Sequence, residues 1–559
     1  MAATERYDAV IVGGGHNGLV AGFYLARAGL RPLILERREI VGGCCVTEEF
    51  APGYRASTGA YVVSMLREPV WRDMRLAERG IVIDPAGPSL YGFPDGERLL
   101  LGEDIPASQH EIRRFSTPDA RALPEFEAAL GELAGLVGPL MDATPPDPGR
   151  VAPADVPGLL RLAATAGRHR KQIDDALYMF ATSCAQYLGE FFESEVVKAA
   201  LGWHAINDSI AGPSTPGAAY VLLHDHAAEQ AGGGLRSWGF VRGGIGLVTE
   251  AMADAAREAG AEIRNGAEVE RIVVAGGRAN GVALADGTVV EAERVLSNAD
   301  PLRTFFGLVG AELLPAEYAA SLRNYRCEGT SVKINLGVDR LPEVVGMPSG
   351  REPYLGGIME FGGFIADMDR AQFEARSGIL GRDPHVEACI PTYHDPSLAP
   401  AGKHVITIDI NSQPYTLAPG QGSWDEHRDA VADRAIATLE GYMPGLTDSI
   451  EARQVLSPVD LESLLGITGG HALHGDMSFD QLFTLRPVRG HADYRTPIRD
   501  LYLCGAGTHP GGGVSGANGR NCAREVIRDA RGPASRLRAR FARRLPPPPL
   551  KPPPGSSDR

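Results

Sequence analysis

The stretch Tyr7-Asp8-Ala9-Val10-Ile11-Val12-Gly13-Gly14-Gly15-His16-Asn17-Gly18, continuing to Glu36, decides the fold of this chain. A short apolar run stops at three glycines, and a fourth stands at Gly18. Leu19, Gly22, Phe23 and Ala26 then recur at i, i+3, i+4, i+7, the spacing of one helix face. Strand, glycine turn and helix in that order are the context in which G-x-G-x-x-G binds a dinucleotide. Gly13 permits the tight turn, Gly15 lets the backbone approach a pyrophosphate, and Gly18 lets helix and strand pack closely. Backbone N–H groups over His16, Asn17 and Gly18, with the helix dipole behind them, meet the anion. Gly29 ends the helix. A second strand, Arg31 to Leu35, finishes at Glu36, whose carboxylate accepts from ribose hydroxyls, and Arg37 follows it at the same end.

The bulk of the chain sets limits on what such a fold can serve. At 559 residues it is long for one core and calls for two or more domains. A net charge of −15 excludes a nucleic-acid partner, since no large basic face offsets it. No run of 18 apolar residues occurs, and the chain enters its first strand almost at once, so we expect neither a transmembrane helix nor a signal peptide. Seven cysteines, an odd number without a C-x-x-C pair, suit a reduced, cytoplasmic protein. The adjacent Cys44 and Cys45 read either as a redox pair or as two small residues packed near a cofactor. Nothing points to a metal.

Working outward, Val41-Gly42-Gly43-Cys44 is glycine-dense, as suits backbone beside a flat ligand. Helical periodicity runs from Pro124 to Val137, and further helices follow from Gln172 to Ala205. The apolar segment 157–171 ends in a basic cluster and reads as a packed helix or a peripheral membrane contact. Gly243–Gly246 opens a helix from Leu247 to Ala259, and Arg242 beside it is a candidate phosphate contact or a surface cap. Val269–Val274, Gly281–Leu284 and Val289–Val290 form β-hairpins around the Asp286-Gly287 turn. Arg294–Asn298 is one more buried strand. Alternation at Val332, Ile334, Leu336 and Val338, with Val386–Ile390 and His404–Ile410, predicts an antiparallel sheet with helices. A last glycine cluster, Gly505 to Gly519, leads into helix Asn518–Ala530. The proline run from Pro546 to Pro554 cannot build a core and offers a proline-binding partner at most.

These motifs stand in the order of one superfamily. Gly15-His16-Asn17-Gly18, Glu36, Gly42-Gly43, the Val269 hairpin, Asp480-Gln481-Leu482-Phe483 and Cys504 to Gly516 carry the resemblance. The chain resembles the phytoene desaturase-like flavoproteins, relatives of carotenoid–retinoid oxidoreductases and monoamine oxidases. Within them it is most similar to the branch named for a pyridine nucleotide-disulphide oxidoreductase domain. The resemblance implies an α/β fold: a Rossmann-type FAD-binding domain, discontinuous over 1–70, 236–310 and 490–533. An α+β substrate domain with a helical insertion takes 71–235 and 311–489, and a proline-rich tail takes 534–559. It implies FAD, with Glu36 on the adenosine ribose and Val269 backbone on the adenine. The flavin would rest near Gly43, Cys44 and Cys45, with Gly505, Gly507, Gly513, Val514 and Gly516 passing beside it. A helix starting at Val514–Ala517 would aim N–H groups at the reduced ring. The branch name suggests thiol–disulfide exchange, but the chain has no C-x-x-C pair and no second convincing dinucleotide fingerprint.

Flavin chemistry leaves the protein one proton to manage. His471, His474 and His509 are the candidates, because imidazole titrates near neutrality. The leading expectation is an FAD-dependent oxidoreductase that dehydrogenates a hydrophobic, polyene- or isoprenoid-like molecule and is reoxidised by oxygen or a quinone. The alternatives are a flavin amine oxidase and an FAD-binding scaffold with little turnover.

Overall fold

The computed structural model describes residues 6–146, 170–207, 209–227, 238–345 and 352–532, with residues 164 and 167. Five short strands, β1 (Ala9–Val12), β2 (Pro32–Leu35), β3 (Glu262–Arg264), β4 (Val295–Ser297) and β5 (Leu501–Leu503), form a parallel sheet in the order β3-β2-β1-β4-β5. Every residue of β1 is buried, and its alternation sends the two halves to different layers. Ala9 and Ile11 pack with helices α1 (His16–Arg27), α2 (Gly246–Glu258) and α3 (Ala517–Arg531). Val10 and Val12 pack on a meander of Val269–Ala275, Arg278–Leu284 and Val289–Ala292. A strand covered on both faces has no polar side, which is why Ala9–Val12 reads as a continuous apolar run. Each large aliphatic side chain buried here contributes about 2 kcal/mol. This is the α/β dinucleotide fold expected from the sequence.

A second sheet has seven strands, in the order Ile450–Leu456, Val332–Val338, His404–Ile410, Val386–Cys389, Met359–Phe361, Ser89–Gly92, Arg98–Leu101. It is antiparallel except where Met359–Phe361 runs parallel to Ser89–Gly92. The strands expected around Val332, Val386 and His404 pair antiparallel, and the parallel neighbour Ser89–Gly92 comes from a remote segment by a long crossover. Val332, Ile334, Leu336 and Val338 pack against helix Trp424–Tyr442. The opposite face carries Lys333, Asn335, Glu360, Glu387, Thr407 and Asp409. Asn335 Nδ2 donates to the Ser57 carbonyl at 3.0 Å, so this face lies against the segment that follows the dinucleotide motif.

Helices complete this unit. The helix expected from Pro124 begins earlier and spans Thr117–Met141, because Ser116 Oγ accepts from Asp119 N and caps it. Its Leu123, Phe126, Leu130 and Leu133 pack with Tyr187, Leu188 and Phe192. The reading of 157–171 lies outside the described residues apart from 164, 167, 170 and 171, and that of the 534–559 tail lies wholly outside them. Among the described residues no helix is long and apolar enough to cross a membrane, and no group of His, Cys, Asp and Glu is placed to hold a metal.

Candidate functional site

One cavity runs from the dinucleotide turn to the polar face of the second sheet. Its first end is built from backbone. Helix α1 starts at Gly15 without a side-chain cap and without an acid in its first turn, so its N–H groups are left for an outside anion. Gly13, Gly15, His16 and Asn17 line the cavity there. Gly18 does not line it. A Cβ on Gly18 would lie 2.2 Å from the Gly13 carbonyl, so this glycine sets the helix–strand approach. A Cβ on Gly15 would lie 2.9 Å from Asn298 Nδ2, which itself donates to Gly13 O at 3.3 Å.

Glu36 lines the cavity next to this turn. Its carboxylate accepts from Gly14 N at 2.8 Å and Arg38 N at 2.9 Å, which fixes its orientation with lone pairs to spare. Ala267, Glu268 and Val269 close the same end. Arg37 and Arg303 both face the cavity; burial and the neighbouring Arg303 lower the Arg37 pKa. Two guanidiniums facing one cavity suit a diphosphate. Arg303 was not among the expected residues.

The middle of the cavity is where the chain's distant glycine clusters meet. Gly43, Cys44 and Thr58 to Val62 form one wall, and Ala506 with Gly512, Gly513 and Val514 another. Val514 is held at φ +57°, a strained conformation for a β-branched residue. Gly42, Gly505, Gly507 and Gly516 stand behind this wall rather than in it. Cβ atoms on Gly42, Gly505 and Gly507 would lie 2.5 Å from Cys45 O, 2.5 Å from Asn298 O and 2.3 Å from Pro301 Cδ, so these glycines allow close packing. The α3 N-terminus does not open onto the cavity as expected. Ala517 N donates to Ser515 Oγ in the preceding loop and Gly519 N to Asn17 Oδ1 of α1, so two of the N–H groups at this helix end are already taken. Cys45 is buried 3.8 Å from His16 Nδ1, and burial pushes its thiol far up. Among the described residues, neither cysteine of the doublet is in a disulfide.

The three candidate histidines separate. His474 lines the cavity, and burial lowers its pKa. His16, across from it, is lowered to about 4 by burial and then by His474. His471 is fully buried outside the cavity lining, with Nδ1 accepting from Leu473 N at 3.3 Å. The His509 ring turns away to the Leu140 carbonyl at 2.9 Å, against Phe483, and does not line the cavity. Arg242 also turns out to be a surface residue, paired with Asp84 at 2.7 Å.

The far end carries residues that the sequence reading missed. Lys333 and Asp409 line it, 3.7 Å apart, and Lys333 Nζ sits 3.5 Å from the centre of the Tyr61 ring. Met65, Val221, Trp238, Leu473 and Met477 surround them. Beneath lies Arg486, fully buried, donating to the carbonyls of Leu473, Gly475, Asp476, Gln481 and Ala506 and to no carboxylate. It ties the His474 loop to Ala506. The alternation around Val332 marked the Lys333 face, but period-2 reasoning assigns the polar face to solvent.

Known proteins share this architecture. Residues 18–527 match the family model described as flavin containing amine oxidoreductase. The chain is 38% identical over 547 residues to mouse pyridine nucleotide-disulfide oxidoreductase domain-containing protein 2, covering 94% of each chain. It is 30% identical to a limonene dehydrogenase polypeptide of Castellaniella defragrans, covering 95% and 96%. Identity to phytoene desaturase (lycopene-forming) of Pseudescherichia vulneris is 26%, covering 91% and 96%. Among solved structures, putrescine oxidase bound to putrescine superposes with a TM-score of 0.57 at 17% identity, covering 94% and 99%, which shows the shared fold. Flavin from the family and a dinucleotide cradle from the fingerprint together specify FAD. The chain belongs to the flavin-containing amine oxidoreductase family, within its phytoene desaturase-like flavoproteins.

Proposed function

We propose that this FAD-dependent oxidoreductase dehydrogenates a neutral, hydrophobic, isoprenoid-like small molecule. The observation that carries the reading is the contact of Lys333 with Tyr61 in a cavity whose lining is more apolar than polar, although Asn207, His224 and Ser331 also reach it. An ammonium over an aromatic face is the contact an amine substrate would use. Here the protein's own Lys333 fills it, 3.5 Å from the ring centre. A cationic substrate would meet that like charge, whereas a hydrocarbon gains by leaving water among Val62, Met65, Val221, Leu473 and Met477. The names of two relatives, a limonene dehydrogenase and a phytoene desaturase, support the substrate class.

Bound FAD supplies the hydride acceptor. The chain's own residues do the rest. Glu36, Arg37, Arg303 and the α1 N-terminus would hold the dinucleotide. The apolar wall orients the substrate and excludes water. His16 and His474, neutral at physiological pH, put no extra positive charge into the cavity. The Lys333 ammonium gives a proton to Asp409, 3.7 Å away, and its freed lone pair then takes the proton that leaves the carbon next to the one losing hydride. A quinone or dioxygen then accepts the electrons.

Anaerobic mixing of the holoprotein with isoprenoid polyenes, saturated lipids and amines tests this. Bleaching of the flavin absorbance by isoprenoids is the expected result. Bleaching by amines alone would overturn it in favour of an amine oxidase. Bleaching by none of them would favour an FAD-binding scaffold.

A further inference from the structure

Four ionisable side chains stand side by side across four neighbouring strands. Lys333 is the register partner of Asp409, Asp409 of Glu387, and Glu387 of Glu360. Directly opposed residues share a sheet face with Cβ atoms about 5 Å apart. The row therefore leads from the cavity, lined by Lys333 and Asp409, inward to Glu387 and Glu360, which are 4% and 5% exposed. Among the described residues, Glu387 Oε1 and Glu360 Oε2 find no hydrogen-bond partner. Asp409 keeps some contact with water at the cavity, but Glu387 and Glu360 do not, and three acids against one lysine there cannot all be ionised.

The surroundings do not relieve the row. Cys389, two residues along from Glu387, has its thiol pushed up by burial and by Glu387 and Asp409. Tyr91 is the register partner of Glu360 and brings only a hydroxyl. Phe240, Ile358, Tyr61 and Trp238 cluster with Cys389 and bring no charge. Burial, with the Asp409 charge adding to it, raises Glu387 to about 8, and burial raises Glu360 well above the carboxylate range.

We propose that Asp409, Glu387 and Glu360 form a buried proton store, wired to the flavin cavity through Lys333 and loaded in each reductive half-reaction. In a dehydrogenation one C–H bond gives hydride, with two electrons, to the flavin. The Lys333 ammonium gives a proton to the Asp409 carboxylate, breaking N–H and making O–H, and its freed lone pair takes the proton of the neighbouring C–H as the carbon–carbon double bond forms. The carboxyl row shares the proton that Asp409 receives. When a quinone or dioxygen takes up the two electrons, the stored proton would return through Lys333 to the reduced acceptor, completing a quinol or hydrogen peroxide. Loading by substrate rests on the dehydrogenase reading; the store itself does not.

Infrared difference spectroscopy on the intact holoprotein separates the two. Flavin is reduced by a photochemical donor, with no substrate present, near neutral pH. The oxidised wild type should show carboxylic-acid carbonyl bands, one lost in Glu387→Gln and another in Glu360→Gln, and reduction should shift these bands or add one. The Asp409→Asn variant should lose the reduction-linked change while keeping the Glu387 band. Absence of carboxylic-acid bands in the wild type, or bands indifferent to flavin reduction, would overturn the store. Should a variant fail to retain FAD, the pH titration of the wild-type difference spectrum decides alone. Failure of isoprenoids to bleach the flavin would remove the dehydrogenase reading and leave this result untouched.

Discussion

At the dinucleotide end of the cavity the atoms facing the ligand are largely backbone: the uncapped start of α1 and the turn from Gly13 to Gly15. At the other end they are side chains standing on a sheet: Lys333, Asp409 and the acids behind them. The difference has a physical consequence. A site made from backbone must exclude Cβ atoms, so it fixes residue types at fixed spacing. A site made from side chains on a sheet needs only the right parity along each strand. The first end is therefore intolerant of added atoms, and the second of altered charge.

Four substitutions probe that contrast. Lys333→Met should keep FAD but slow substrate-dependent flavin reduction by about 10²–10⁴-fold, the usual worth of a positioned proton-transfer group. Rapid mixing under anaerobic conditions measures it; loss of FAD instead would mean Lys333 belongs to the cofactor end. Gly15→Val should weaken FAD at least about 100-fold, roughly 3 kcal/mol, because its added carbons meet Asn298 or the phosphate path. The flavin-to-protein absorbance ratio reads this directly, and an unchanged ratio would displace the phosphate site.

Glu387→Gln probes charge rather than volume. Glu387 holds its proton up to about 8 in the folded chain, against 4.5 ordinarily. Between those values the folded state binds more protons than the unfolded one, so wild-type stability falls as pH rises through this window. The variant should lack that fall. Relative to wild type it should gain up to about 4 kcal/mol by pH 8, with no pH-dependent difference below 4.5. Urea unfolding at several pH values gives the comparison; parallel pH curves would mean that Glu387 is ionised when folded. The smallest effect belongs to Arg242→Ala, whose guanidinium pairs with Asp84 at the surface, where water screens the charge. FAD content should not change, and a loss would return Arg242 to the cofactor.

The same contrast explains what could be read from the sequence. Gly13, Gly15, Gly18 and Glu36 announced strand, turn, helix and ribose acceptor, because each demand falls on a residue within 30 positions of the next. The Val269 hairpin and the helix after Gly516 were equally local. Lys333, Asp409, Glu387 and Glu360 were silent, since alternate polar residues in a half-buried strand ordinarily face water. Here the dinucleotide unit covers that face, a fact held by contacts such as Asn335 to Ser57, 278 residues away. His509 was misjudged for the same reason: its motif lies at the cavity, but a carbonyl from Leu140, 369 residues earlier, claims its ring. Arg486 gave no sign, because its partners are main-chain carbonyls and carry no side-chain signature.

A crystal structure of the FAD-loaded protein tests most directly whether these two ends belong to one site. The account predicts the adenosine at Glu36 and Val269, the diphosphate at the α1 N-terminus, and the ring between Gly43–Cys44 and Gly512–Val514, with Lys333 beside it. A flavin ring elsewhere, with Lys333 and Asp409 out of its reach, would contradict it.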